Sequence, residues 1–304
     1  MSPLLALRYR LEYYVLRLVV GIFRLFPLDM AAGFLASVLQ KFAPGGRRHK
    51  KALANLEIAF PEKSSEEREA IALQMWGNIG RVIVETMQID RLLDQPDRLE
   101  LEEDYFLHRY KGKMGTVVVA GMHMGNWEIA SWPLALCESN VAAVYRLVKN
   151  PYVDQYLRGM RGALYPGGLF AKGRARGKSA GFDTARMIGS YVRHGMKDET
   201  ATIAFLADLY DGKGIEVPLF GTTAKSTPFP AMLARRLGAR MWVGRCIRVN
   251  GESRFLISVK EIKVPRTDDT EKDVYEITSA IQKQFEAWIR ETPEQYMWTN
   301  RRFA

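Results

Sequence analysis

Apolar residues recur with two different periods along this chain, and the change between them falls near residue 115. Up to about residue 95 the spacing is helical: a first apolar stretch runs from Leu4 to Phe26 and is interrupted by Pro27. A second runs from Met30 to Lys41, and Pro44-Gly45-Gly46 marks a turn. Ser64-Ser65-Glu66-Glu67 is a capping box, with Ser64 as cap and Glu67 three residues on, and predicts a long helix through about Leu93. Beyond 115, short apolar runs alternate with helical stretches. Thr116–Ala120, Val141–Tyr145, Thr200–Ala207, Met241–Val249 and Phe255–Val264 read as strands. Helices are expected after Asn126 with a break at Pro133, and from Pro151 to about Gly162 behind the cap Asn150. Others are expected over Ser179–His194 ahead of Gly195, over Pro228–Leu237 ahead of Gly238, and from about Thr270 to Arg290.

The pattern predicts an α/β fold, a central mixed sheet flanked by helices, with residues 1–95 as a helical N-terminal region and 96–304 as the core. His123, Arg146 and Asp208 each fall at or just beyond the carboxyl end of a predicted strand. In an open α/β sheet that edge is where ligands bind.

With 304 residues, 47% of them hydrophobic, the chain can bury a full core, which excludes disorder. Its two cysteines, Cys137 and Cys246, lie far apart without a CxxC or Cys/His cluster, so neither a disulfide framework nor a metal site is indicated, and a reduced setting fits. A formal charge of +10 favours an anionic partner: nucleic acid, anionic lipid or an acidic protein. The amino terminus narrows that choice. Leu4 to Phe26 is broken by Arg8, Arg10, Glu12, Arg17 and Arg24, so no uncharged run reaches the roughly 18–20 residues a bilayer needs, and no signal-type cleavage site follows. Apolar residues interleaved with arginines and tyrosines suit a membrane-associating helix in the headgroup region; the alternative is an amphipathic helix packed on its own domain. Lys172, Arg174, Arg176 and Lys178 form a basic loop that would attract an acidic carrier protein or anionic headgroups. No RNA-binding motif accompanies it, so nucleic acid is not expected as a partner.

The candidate chemistry lies in Thr116 to Glu128, where a histidine and a carboxylate stand five residues apart just beyond a strand. Residues five apart do not stack on one helix face, so His123 meets Glu128 most easily from a loop, with Glu128 in the first turn of a helix capped by Asn126. An imidazole whose second nitrogen is held by a carboxylate is a general base with a fixed tautomer. No Gly-x-Ser-x-Gly nucleophile elbow is present.

The segment His123-Met124-Gly125-Asn126-Trp127-Glu128 resembles the lysophospholipid acyltransferase superfamily, and within it the late lipid A acyltransferases, the lauroyl and myristoyl transferases of Gram-negative bacteria. Asn55-Leu56-Glu57-Ile58-Ala59-Phe60-Pro61, Val217 to Thr222 with Thr227-Pro228, and Pro293-Glu294-Gln295-Tyr296-Met297-Trp298 with Arg301-Arg302 extend the resemblance over about residues 45 to 302. It implies that His123, oriented by Glu128, deprotonates a lipid hydroxyl, which attacks an acyl thioester without an acyl-enzyme. The implied donor is acyl carrier protein, the acceptor an anionic glycolipid such as a lipid A precursor, and the setting the cytoplasmic face of the inner membrane. No cofactor or metal is implied. Arg146 would bind the acceptor's phosphate or the developing charge through its planar fork. Asp208 would orient a site residue or cap its loop. Gly221, Thr222 and Thr227 precede a predicted helix, a place suited to phosphate, and Arg301 is a further phosphate contact. The chain departs from the family pattern at Leu219, Tyr296, Asn300 and after Asp208. A lysophospholipid or an amino-acid lipid as acceptor stays open, as does a noncatalytic lipid- or carrier-binding module.

Overall fold

Pro27 separates the first two helices, α1 (Pro3–Arg24) and α2 (Leu28–Phe42), and the turn at Gly45 leads into α3 (Arg47–Ala59). The computed structural model of the chain describes residues 2–103, 105–137, 139–172, 186, 188–192 and 201–303. The capping box forms: Ser64 Oγ accepts from the Glu67 N–H at 3.2 Å, and the Glu67 carboxylate accepts from the Ser64 N–H at 2.7 Å, opening α4 (Ser65–Met87). The long helix expected to reach Leu93 is two helices. Gln88 leaves helical geometry, and its side-chain amide donates to Phe23 O of α1 at 3.2 Å, so α5 (Ile89–Leu93) starts afresh.

The α/β part runs β1 (Leu99–Leu101), α6 (Tyr105–Tyr110), β2 (Val117–Gly121), α7 (Trp132–Leu136), β3 (Asn140–Arg146), α8 (Pro151–Met160) and β4 (Gly168–Lys172). It continues with β5 (Ala201–Leu206), β6 (Tyr210–Leu219), β7 (Thr222–Ser226), α9 (Phe229–Leu237), β8 (Arg240–Arg248), β9 (Phe255–Ile262) and α10 (Thr270–Glu291). Residues 186 and 188–192 are helical, as expected; the rest of the Ser179–His194 helix, and Arg174, Arg176 and Lys178, lie outside the described residues.

Among the described residues seven strands make one sheet in the order β1-β9-β8-β2-β5-β3-β4, parallel throughout except for the β8–β9 pair, so the sheet is mixed and flanked by helices. The central strands β2, β5 and β3 are neighbours, and their carboxyl ends share an edge. Val117–Ala120 are buried on both faces, which is why β2 reads as an unbroken apolar run. One buried cluster joins Leu56 and Trp76 of the helical region with Val118 and Ala120 of β2, Met241 of β8 and Phe285 of α10.

A hairpin stands apart from this sheet where the sequence suggested a hydroxyl-rich loop. β6 and β7 pair antiparallel, and Phe220 and Gly221 form the turn with φ of 50° and 72°. Positive φ at both central positions is the type I′ requirement, which explains Phe-Gly here in turn terms.

Candidate active site

β2 delivers the chain to Gly121, and His123 lies two residues past the strand end, in a loop rather than a helix. The loop is pinned on every side. Met297 N donates to His123 O at 2.9 Å, Gly125 N donates to Gln295 O at 2.9 Å, and Asn126 N donates to Cys246 O at 3.1 Å. The φ of Gly125 is +54°, and a Cβ there would lie 1.7 Å from Cys246 O, so only glycine fits. Beneath the loop, buried Glu85 of α4 pairs through both oxygens with Arg248 of β8; it also accepts from Asn126 Nδ2 at 2.9 Å and Ser253 Oγ at 2.7 Å. Asn78 donates to Gly125 O at 2.9 Å and accepts from Arg248 Nε at 3.2 Å. Those contacts fix the backbone around Asn126, and the helix expected from it does not form: Asn126 Oδ1 accepts from Glu128 N at 3.2 Å, as a cap would, but only turns follow, and α7 begins at Trp132 with Pro133 in its first turn.

The carboxylate on His123 is Asp208. Its oxygens accept from the His123 backbone N–H at 3.0 Å and face the ring Nδ1 at 2.9 and 3.2 Å. This corrects the expected His123–Glu128 pair: Glu128, in a turn, instead accepts from Arg161 Nη2 at 2.6 Å. Asp208 reaches His123 because β5 lies beside β2, with Leu206 paired to Gly121, so both residues leave the sheet side by side. Asp208 is buried, and its loop is held from behind. Tyr296 Oη donates to Asp208 O at 3.4 Å, Gln282 donates to Ala207 O at 2.9 Å, and buried Arg302 donates to Gln282 at 2.8 Å and Ser226 at 2.9 Å.

Burial alone would lower the His123 pKa, but the Asp208 carboxylate, with Glu128 adding to it, holds the ring above its ordinary 6.5. Burial would likewise raise Asp208; facing His123, it stays below the usual carboxylate range. An Nδ1–H held by Asp208 leaves Nε2 as the basic nitrogen. The Trp127 ring packs on the imidazole, centroids 5.4 Å apart.

His123 opens onto a cavity of about 980 Å³. Its apolar walls include Val119, Leu134, Ala143, Leu169 and Ile188, and its polar wall carries Glu128, Arg146, Arg161, Tyr165 and Thr227. Burial, reinforced by Glu128, pushes the Tyr165 hydroxyl up to about 12, so it stays a protonated donor. Of the residues expected at the site, His123, Glu128, Arg146 and Thr227 line this cavity, and Asp208 stands directly behind His123. Gly221 and Thr222 do not line it: they sit exposed at the β6–β7 turn, so the expected phosphate cradle ahead of α9 is not formed by them. Arg301 is exposed and lies outside the cavity wall, its guanidinium 3.9 Å from the ring centroid of Tyr210, which does line the cavity. Arg161, Trp127 and Tyr165 were not singled out in the sequence, nor was the Glu85–Arg248 pair. A signal existed for the pair alone: each charge interrupts an apolar segment, Val82-Ile83-Val84 before Glu85 and Cys246-Ile247 before Arg248.

No group of His, Cys, Asp and Glu with metal-holding geometry occurs among the described residues. An imidazole held by a buried carboxylate and lining an apolar chamber that also holds arginines can move a proton from a hydroxyl while a chain lies in the chamber.

A family model described as bacterial lipid A biosynthesis acyltransferase matches residues 2–304. The lipid A biosynthesis palmitoleoyltransferase of Escherichia coli (strain K12) is 28% identical over 267 residues, spanning 84% of this chain and 79% of that protein. A lipid A biosynthesis acyltransferase of Shigella flexneri matches with the same identity and coverage. The lipid A biosynthesis lauroyltransferase of Escherichia coli (strain K12) is 27% identical over 265 residues, again 84% of this chain and 79% of the relative.

Proposed function

The chain belongs to the bacterial lipid A biosynthesis acyltransferase family and is an acyltransferase; from that premise we propose that it moves a fatty acyl chain from acyl carrier protein to a hydroxyl of a phosphorylated lipid A precursor. The observation that carries this reading is the Asp208-held His123 in the wall of the largely apolar cavity.

The acyl chain lies along Leu134, Ala143 and Leu169, with its thioester carbonyl near His123. His123 Nε2 takes the proton of the acceptor hydroxyl as its oxygen attacks the carbonyl carbon. Asp208 keeps Nδ1 protonated and stabilises the imidazolium, the task of the buried carboxylate in a serine-hydrolase triad. The tetrahedral oxyanion collapses, the carbon–sulfur bond breaks, and the imidazolium returns its proton to the departing thiolate. Arg161, fixed by Glu128, and Arg146 at the end of β3 supply positive charge for the oxyanion and the acceptor's phosphate. Glu128 thus acts through Arg161 and through its field at His123.

The reaction joins a water-borne donor to a membrane lipid, and the amino terminus suits that task. Leu4, Leu7, Leu11 and Leu18 of α1 are 64–81% exposed, and Phe34 and Phe42 of α2 are 63% and 73% exposed. Among the described residues no helix is long and apolar enough to cross a membrane. The proposed attachment is interfacial, α1 lying in the headgroup region of the inner membrane on its cytoplasmic face.

The test incubates the purified chain with acyl carrier protein thioesters and a lipid A precursor. Mass spectrometry should find the precursor heavier by one acyl group, and His123→Ala should abolish the gain. An unchanged gain with His123→Ala, or none from the wild type with any thioester, overturns the reading.

A further inference from the structure

A second cavity, of about 810 Å³, lies on the other side of α8 from the catalytic chamber. Leu157 of α8 lines the chamber, whereas Tyr152, Tyr156 and Met160 of the same helix line the second cavity. The facing wall is α1. That helix is fastened near one end by Asn150, whose amide donates to Tyr9 O at 2.8 Å and Glu12 Oε2 at 2.9 Å. Its other end is held by the two-pronged Arg24–Asp90 pair, at 2.8 and 2.7 Å. Between the fastenings α1 turns Tyr13, Arg17, Val20, Gly21 and Arg24 toward the cavity, a set spaced for one helix face. Its remaining face carries the exposed leucines.

The lining has two chemistries. Val20, Ile89, Leu93 and Met160 are apolar, while Tyr13, Tyr152 and Tyr156 bring phenol hydroxyls beside Arg17, Arg24 and Asp90. Arg24 is spent on Asp90, but Arg17 meets no carboxylate among the described residues. Its guanidinium bonds the Tyr13 hydroxyl at 3.3 Å and stands 5.8 Å from the Tyr156 ring centroid. A guanidinium beside phenol hydroxyls recognises phosphate, and the volume falls within the roughly 300–1,000 Å³ of small-molecule sites.

We infer that this cavity binds one anionic phospholipid, its phosphate at Arg17 and Tyr13 and one acyl chain against Val20, Leu93 and Met160. The occupant is a membrane phospholipid because the cavity shares α1 with the exposed apolar face, so a lipid lying beside that face needs only to bend one chain inward. A net charge of +10 favours the anionic headgroup. The site is separate from acyl transfer and is measured without turnover, so its failure leaves the catalytic reading untouched.

The test titrates the full chain with dihexanoyl phosphatidylglycerol below its micelle concentration, followed by calorimetry. Two variants probe the site. Arg17→Gln removes the cation, and Gly21→Phe fills the cavity at a position where an added Cβ meets nothing within 4 Å, so α1 keeps its helix. Saturable binding is expected, weakened at least about tenfold by each variant and unchanged by His123→Ala. Dihexanoyl phosphatidylcholine should bind at least about tenfold more weakly, and glycerol 3-phosphate should not compete. Equal affinity in wild type and both variants, equal affinity for the choline lipid, or full competition by glycerol 3-phosphate overturns the assignment.

Discussion

Asp208 holds His123 at two points, the backbone N–H at 3.0 Å and the ring Nδ1 at 2.9 Å, so one carboxylate fixes both where the imidazole sits and which nitrogen carries its proton. Replacing Asp208 with asparagine keeps the shape and removes the charge. Turnover should fall on the order of 10³–10⁴-fold with little change in KM, the scale seen when a triad carboxylate is neutralised. Steady-state kinetics on a variant with native circular dichroism decides it, and a loss below about tenfold would remove Asp208 from the mechanism.

The same pair sets the pH dependence. A base must be neutral to work, and Asp208 and Glu128 outweigh burial to hold His123 above 6.5, so kcat/KM should climb with pH along a limb centred above 6.5. In Asp208→Asn that limb should move to lower pH, because burial then opposes the charged ring with less to offset it.

Stability carries the complementary signature. The raised His123 pKa contributes stability that is full below 6.5 and lost as pH rises through the folded value. The lowered Asp208 pKa contributes stability that is present above 3.8 and lost as pH falls through its folded value. The Tm gap between wild type and Asp208→Asn should therefore be widest between about 3.8 and 6.5 and narrow on both sides. A gap independent of pH would mean the two groups do not titrate as a pair.

Glu128 and Arg161 should behave as one unit. Glu128→Gln and Arg161→Gln should each cost about 100-fold in kcat/KM, and the double variant little more than either, because each single change strands the partner. Losses that multiply would show that they act separately.

Breaking the Glu85–Arg248 pair should cost stability before chemistry is reached. Glu85→Ala leaves Arg248 charged and buried and should lower unfolding free energy by about 3–5 kcal/mol, measured by denaturant titration. A loss below about 1 kcal/mol would mean water or another group replaces the carboxylate.

Much of this was legible in the residues themselves. Local rules carried the capping box at Ser64, the Asn150 cap, the Pro27 break and the strand that ends before His123. The carboxyl-edge rule brings His123, Arg146 and Asp208 to one rim from the strand pattern alone. What local rules could not supply were tertiary choices. Asn126 looks like a helix cap, and its Oδ1 does accept from Glu128 N, but its contacts with Glu85 and Cys246 O hold turns there instead, and Glu128 looks like the partner of His123 until the end of β5 brings in Asp208, 85 residues away in sequence. Phe220-Gly221 reads as a loop because β6 is broken by glycines and charges in Asp211-Gly212-Lys213-Gly214 and β7 is short and polar. Arg161 carries no signature at all, since it is one basic residue at the end of an amphipathic helix.

The fastening of the histidine loop by Pro293–Met297 also has a temporal meaning. A ribosome makes His123 long before it makes Met297, whose N–H anchors the histidine backbone, and Arg302, which braces the loop of Asp208. Until residues 293–302 have been made, the His123 loop lacks the backbone anchors at Gln295 and Met297, and the Asp208 loop lacks the brace from Arg302, so the final form of this site waits on the last stretch of the sequence.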